Sequence, residues 1–194
     1  CNNKDLLVQK KSLYTTTEEK ICAEEKETSR TSYSKKEEIT IMVTLKEGDK
    51  VPVFSGTDAE GKKISSTNLK GKKYILYFYP QDGTPTCTVQ ACNLRDNFSQ
   101  LRKAGWEVIG VSPDDEKKHG KFITKHELPF PLIADTDHKI LNAFGVWDKK
   151  KLYGREYMGV LRTTFLVDEK GVIRKIFLKP RSADHAGEIL AALG

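Results

Sequence analysis

Tyr74-Ile75-Leu76-Tyr77-Phe78-Tyr79-Pro80-Gln81-Asp82-Gly83-Thr84-Pro85-Thr86-Cys87-Thr88-Val89-Gln90-Ala91-Cys92 is the stretch that decides how this chain of 194 residues folds. Tyr74 to Tyr79 is aromatic and aliphatic on both faces, which is the pattern of a central strand covered on both sides. Pro80, Gly83 and Pro85 punctuate the loop that follows. Beyond it Ala91, Leu94, Phe98 and Leu101 recur at spacings of three and four, which marks one apolar face of a helix reaching to Gly105. A buried strand therefore runs through a Pro-containing loop into a helix, and Cys87 stands at the junction.

Working outward, Val51 to Thr57 and Lys63 to Ser65 read as short strands joined by the Asp58-Ala59-Glu60-Gly61 turn. Downstream come a strand at Glu107 to Ser112, a helix at Asp114 to His126, a strand at Phe130 to Ala134 and a short helix at Lys139 to Phe144. Thr164 to Val167 and Val172 to Leu178 read as a hairpin across Asp168-Glu169-Lys170-Gly171, and Ala183 to Leu193 as a closing helix. Alternating strands and helices with a terminal hairpin predict an α/β domain, a mixed central sheet flanked by helices, in a thioredoxin-like arrangement.

Two regions are expected, 1–41 and 42–194. The first holds eight Lys/Arg and eight Asp/Glu and few apolar residues with any period, so it reads as a disordered extension with transient helix near Glu18 to Glu27. Three origins compete for it: a bacterial lipoprotein after signal removal, which Cys1-Asn2-Asn3-Lys4 resembles, a fragment, and, as the preferred hypothesis, a true start at Met42. The net charge of +6 therefore resides in 42–194, as scattered groups such as Lys62-Lys63, Lys72-Lys73 and Lys149 to Lys151 without interleaved aromatics. That dispersion argues for solvated loops and against a nucleic-acid surface. The longest apolar run is far too short to span a bilayer, and four cysteines in 194 residues do not make a disulfide scaffold. The cytoplasm is the expected location, with a periplasmic or membrane-anchored lipoprotein through Cys1 as the alternative. Cys1 and Cys22 receive no chemistry.

Cys87 falls in the first turn of its helix, where free backbone N–H groups and the macrodipole favour an anion, so a lowered thiol pKa is expected. Four residues before Ala91, it also belongs to the apolar stripe and should sit in a partly water-excluded pocket. Cleavage of a peroxide bond needs donors for the departing oxygen. Thr84 is placed to offer a hydroxyl, and Arg162, at the start of a later strand, is the candidate cation. Five residues of α-helix separate Cys87 from Cys92, a rise of about 7.5 Å and a rotation of about 140°. Their Cα atoms then lie roughly 8.7 Å apart on nearly opposite faces, beyond the ~7 Å reach of a disulfide. A bond between them requires that turn to unwind.

The stretch resembles the peroxiredoxin active site, whose core pattern Pro-x-x-x-Thr/Ser-x-x-Cys is met by Pro80, Thr84 and Cys87. The four-residue gap to Cys92 is similar to that of the bacterial bacterioferritin comigratory protein, or Q-type, subfamily. Tyr77-Phe78-Tyr79-Pro80, Leu94-Arg95-Asp96, Tyr153-Gly154-Arg155, Met158-Gly159 and Arg162-Thr163-Thr164-Phe165 extend the likeness from about Leu45 to the C-terminus. The resemblance implies that Cys87 is the peroxidatic and Cys92 the resolving cysteine, that Thr84 orients peroxide, Pro80 shields the site and Arg162 is the active-site arginine. It further implies an antioxidant peroxidase of hydrogen peroxide and organic hydroperoxides with no bound cofactor or metal. Its electron donor would be thioredoxin, with NADPH behind thioredoxin reductase. A monomer is expected, because an intramolecular disulfide needs no partner subunit.

Competing readings are a thioredoxin-like disulfide reductase, which would normally carry Cys-x-x-Cys, and a non-enzymatic redox chaperone or nucleic-acid-binding module. Cys92 as an incidental surface thiol is the bland alternative. Arg95 and Asp96 read as a solvated ion pair or helix support; Asp135, Asp137 and His138 resemble a metal cluster, but helix capping by one of the two Asp residues is the favoured reading. His119, His126 and His185 lack ligand spacing. Tyr153, Tyr157 and Trp147 are expected beside the site or over a loop.

Overall fold

The run from Tyr74 forms strand β3 (Lys73–Phe78) in a computed structural model that describes residues 43–152 and 154–193, and Tyr74 through Phe78 are all buried. Ahead of it lie β1 (Ser55–Asp58) and β2 (Lys63–Ser65). After it come α1 (Pro85–Asp96), α2 (Phe98–Lys103), β4 (Trp106–Ser112), α3 (Glu116–His126), β5 (Leu132–Ala134) and α4 (Lys139–Ala143). The chain continues through β6 (Trp147–Leu152), β7 (Arg155–Val160), β8 (Thr163–Val167), β9 (Ile173–Phe177), a 3-10 turn at Ser182–Asp184 and α5 (His185–Leu193).

Seven strands make one sheet of order β2-β1-β5-β4-β3-β8-β9. β3, β4 and β5 run parallel, while β8 lies antiparallel to β3 and β9 to β8. β1 is antiparallel to both β5 and β2. The mixed α/β architecture is the one the alternating pattern predicts.

Because side chains alternate across a strand, β3 feeds two cores. Tyr74, Leu76 and Phe78 enter one, with Ile109, Phe144 and Phe165. Ile75, Tyr77 and the following Tyr79 enter the other, under Ala91, Leu94 and Leu101 of the covering helices, and Cys87 belongs to this second core. Gly110 of β4 is required here: a Cβ on it would stand 2.5 Å from Leu132 and 2.8 Å from the Tyr77 ring.

Several boundaries differ from the sequence reading. The helix expected up to Gly105 breaks at Asn97, whose side-chain amide donates to Asn93 O at 2.9 Å and competes with the helix backbone. Val51 to Phe54 lies outside β1, since Pro52 lacks a ladder donor, and Val53 is 89% exposed. The strand expected from Phe130 begins after Pro131, and the final helix begins at His185. The helix expected from Asp114 begins at Glu116, with Asp115 as its N-cap accepting from Lys118 N at 2.7 Å. Asp135 caps α4 as expected, accepting from Ile140 N at 3.0 Å and Leu141 N at 2.7 Å.

The β6–β7 hairpin has no counterpart in the sequence reading. It is a separate two-stranded ribbon, paired from Trp147↔Val160 to Leu152↔Arg155. Residues 155–158 are exposed, so the ribbon lacks the alternation that reveals a half-buried strand. Trp147 stacks on His138 with ring centroids 4.0 Å apart, and Tyr157 is exposed. The expectations for residues 1–41, including Cys1 and Cys22, and those for Met42 and Tyr153, lie outside the described residues.

Candidate active site

Thr84 is the extended N-cap of α1, Pro85 occupies the first helical position, and Cys87 is the third residue of the helix. The backbone N–H groups of this turn have no intrahelical acceptor, so Cys87 stands at the positive end of the helix. It carries a free thiol and is only 2% exposed.

Strand pairing explains which residue meets it. β8 runs antiparallel to β3 with Thr163 opposite Phe78, so the chain entering β8 passes the end of β3 where the loop to α1 departs. Arg162 is the residue just before Thr163. Its Nη2 lies 3.1 Å from Cys87 Sγ, and its Nη1 donates to Gln90 Oε1. Gln90, one helical turn beyond Cys87, is fully buried. It was missed in the sequence because a lone polar letter reads as a solvent-facing helix position; the only signal was its three-residue spacing from Cys87.

Among the described residues, Gln90 Nε2, Thr88 Oγ1 and Tyr77 Oη are buried without a hydrogen-bond partner. Thr88 and Gln90 share the helix of Cys87, and Tyr77 belongs to the same core. Burial raises the Tyr77 phenol well above its ordinary pKa, with the nearby Asp82 and Cys87 adding to the shift, so it remains a hydroxyl. Lys150 is a second cation that the sequence did not single out. It donates to Val160 O at 3.2 Å, and its pKa is lowered by burial and by Arg162 and drawn back up by Cys87.

The remaining expected residues divide. Thr84 is half-buried and its hydroxyl donates to Gln81 O at 3.1 Å, closing the loop's own turn. Pro80 is half-buried at the start of that loop. Cys92 is fully buried rather than at the surface, and its Sγ lies 4.0 Å from His126 Nδ1 on α3. Cys87 thus faces the approach to β8 and Cys92 faces α3, on different sides of one helix. Arg95 pairs with Asp96 at 2.8 Å and also donates to His126 O at 2.8 Å, tying α1 to the end of α3. Asp82, in the loop, meets the buried His119, a contact that sequence spacing did not reveal. Among the described residues, no group of three His, Cys, Asp or Glu side chains is arranged to hold a metal. None of their helices is long and apolar enough to cross a membrane.

Residues 47–176 match the AhpC/TSA family. Peroxiredoxin Bcp of Bacillus subtilis is 44% identical over 151 residues, covering 78% of this chain and 96% of that relative. Peroxiredoxin Bcp of Escherichia coli K12 is 42% identical over 149 residues, covering 77% of this chain and 96% of the relative. Among solved structures, the bacterioferritin comigratory protein of Xanthomonas campestris, whose alkyl peroxide reduction activity has been analysed structurally, aligns with a TM-score of 0.70 at 31% identity. That alignment covers 75% of this chain and 97% of that one.

Proposed function

Because the chain belongs to the AhpC/TSA family and is a peroxiredoxin, a thiol peroxidase, we propose that Cys87 is its peroxidatic cysteine and Cys92 its resolving cysteine. The observation that carries this reading is the guanidinium of Arg162 at 3.1 Å from the sulfur of Cys87, at the start of a helix.

The sulfur of Cys87 attacks the terminal oxygen of a hydroperoxide, ROOH. The O–O bond breaks, the sulfur takes the hydroxyl as a sulfenic acid, and the departing alkoxide collects a proton to leave as ROH. Arg162 offers only donors and carries a fixed charge towards both sulfur and departing oxygen, while Gln90 holds its plane in register. Thr84 orients the peroxide and Pro80 shields the sulfur from water. Cys92 then attacks the sulfenic sulfur and water leaves as the disulfide forms. Hydrogen peroxide and organic hydroperoxides are the proposed substrates.

A dithiol reductant returns both sulfurs to thiols; thioredoxin, supplied by NADPH through its reductase, is the proposed donor. No bound cofactor, metal or nucleic acid enters the cycle. The protein acts as a monomer, in the cytoplasm, where a thioredoxin pool is kept reduced. The test is peroxide-dependent NADPH oxidation with thioredoxin and its reductase. Cys87→Ser should abolish turnover, and Cys92→Ser should consume one equivalent of peroxide and stop. Full turnover by Cys87→Ser would overturn the assignment.

A further inference from the structure

Beneath the loop that leads to Cys87 lies a buried polar cluster that the peroxidase cycle does not use. Asp82 is the middle residue of that loop, and its side chain is 2% exposed. Oδ1 accepts from Tyr79 Oη at 2.7 Å and Oδ2 lies 2.6 Å from His119 Nδ1. His119 is completely buried on α3, and its second nitrogen, Nε2, lies 3.2 Å from Ile133 O on β5. A carbonyl can only accept, so Nε2 carries a proton. The backbone is held as well: Asp82 N donates to Asp114 Oδ2 at 2.6 Å. That carboxylate also accepts from Ser112 Oγ at 3.0 Å, and its Oδ1 from Lys118 Nζ at 2.5 Å. Asp82 is thereby fastened to the end of β3, to the β4–α3 loop and to α3 itself.

Only Gly83 stands between this anchor and Thr84, and Gly83 sits at φ 72°, a conformation that costs glycine nothing. Thr84 O accepts the opening hydrogen bond of α1, from Thr88 N at 2.9 Å. The anchored residue is thus two positions from the carbonyl that begins the helix turn bearing Cys87. That turn must unwind for Cys87 to reach Cys92, because the two sulfurs face different elements.

We propose that Asp82 and His119 form a positioning pair for the peroxidase reaction, holding the first turn of α1 wound so that Cys87 stays on Arg162 and setting how often that turn opens towards Cys92. The inference rests on the two-cysteine reading above. A tight anchor favours the reaction with peroxide and slows resolution, leaving the sulfenic acid exposed longer to a second peroxide, which would take it to the sulfinic acid with release of ROH. A loosened anchor does the reverse.

Stopped-flow tryptophan fluorescence of reduced full-length protein separates the two steps. Oxidation of Cys87 is the phase that scales with peroxide, and disulfide formation is the phase that does not. Mass spectrometry gives the peroxide dose at which half the chains carry sulfinate.

His119→Gln keeps an amide near Nε2 and loses the Asp82 contact, whereas His119→Asn keeps a donor near Nδ1. The expected result is that His119→Gln raises the peroxide-independent rate about fivefold or more and the sulfinate dose in step, with His119→Asn much closer to wild type. Tyr79→Phe, which removes one hydroxyl from the cluster, should shift both readouts the same way by about twofold and serves if the histidine variants fail to fold. Val167→Ala, a cavity in the opposite core, should leave the peroxide-independent phase unchanged. The inference is overturned if folded His119→Gln resolves at the wild-type rate, if His119→Asn is as fast as His119→Gln, or if Val167→Ala accelerates resolution equally. A wild type with no peroxide-independent phase, or one whose trace Cys92→Ser does not alter, would instead sink the two-cysteine reading.

Discussion

Arg162 and Gln90 show how much of the site one side chain can carry. Arg162 splits its two Nη groups between the Cys87 sulfur and the Gln90 carbonyl oxygen, so its plane is fixed at both ends. Arg162→Lys keeps the charge and loses this fork. The second-order rate with hydrogen peroxide should fall by about 10²-fold or more for Arg162→Ala and by less for Arg162→Lys, measured by competition for peroxide. Gln90→Leu should cost about tenfold in the same assay by leaving the guanidinium unguided. At this scale the sequence is uneven. Cys87 and Arg162 were legible because each belongs to a longer ordered string. Gln90, Lys150 and His119 were not, because a polar letter does not say which way it faces; only the tertiary packing turns Gln90 and His119 inward.

Elements were read best where burial imposed a period. β3 declared itself as an apolar run between two cores, and α1 by its three-and-four spacing. The β6–β7 ribbon escaped, for β7 is exposed from Arg155 to Met158 and so has no apolar rhythm there, and the lysines of β6 look like any loop. The break between α1 and α2 escaped as well, since Asn97 ends a helix through its side-chain amide rather than through a glycine or proline. Two substitutions test the element-level account. Asp135→Ala removes the acceptor for two N–H groups of α4 and should cost about 1–2 kcal/mol in urea unfolding. Gly110→Ala pushes a methyl into Leu132 and the Tyr77 ring. It should destabilise by about 1–3 kcal/mol, as overpacking does.

For the whole molecule, acid sensitivity follows from two histidines held in the interior. Burial lowers His126 to a pKa of about 4 and lowers His185 likewise to about 4, from the ordinary 6.5. Above pH 6.5 both rings are neutral folded or unfolded, and the stability they permit is fully present. As pH falls from 6.5 towards 4, the unfolded chain takes up protons that the folded chain refuses, and stability declines. Urea midpoints should therefore drop across that window, and His185→Asn should flatten the drop if it folds. The sheet order was legible as a class, from alternating strands and helices. What no local pattern announced was the antiparallel return of β8 beside β3, the pairing that brings Arg162 some seventy-five residues along the chain to Cys87.

Cys87 and Cys92 look away from each other across a single helix, and that has a kinetic meaning. With Cys92 resolving Cys87 as proposed, every peroxide destroyed would oblige the protein to melt a piece of itself and to rebuild it once the reductant has acted. The catalytic cycle thus contains a miniature folding reaction, and its tempo should answer to agents that act on folding. Urea kept well below the global transition should quicken disulfide formation while slowing the first encounter with peroxide, and a stabilising osmolyte should do the opposite.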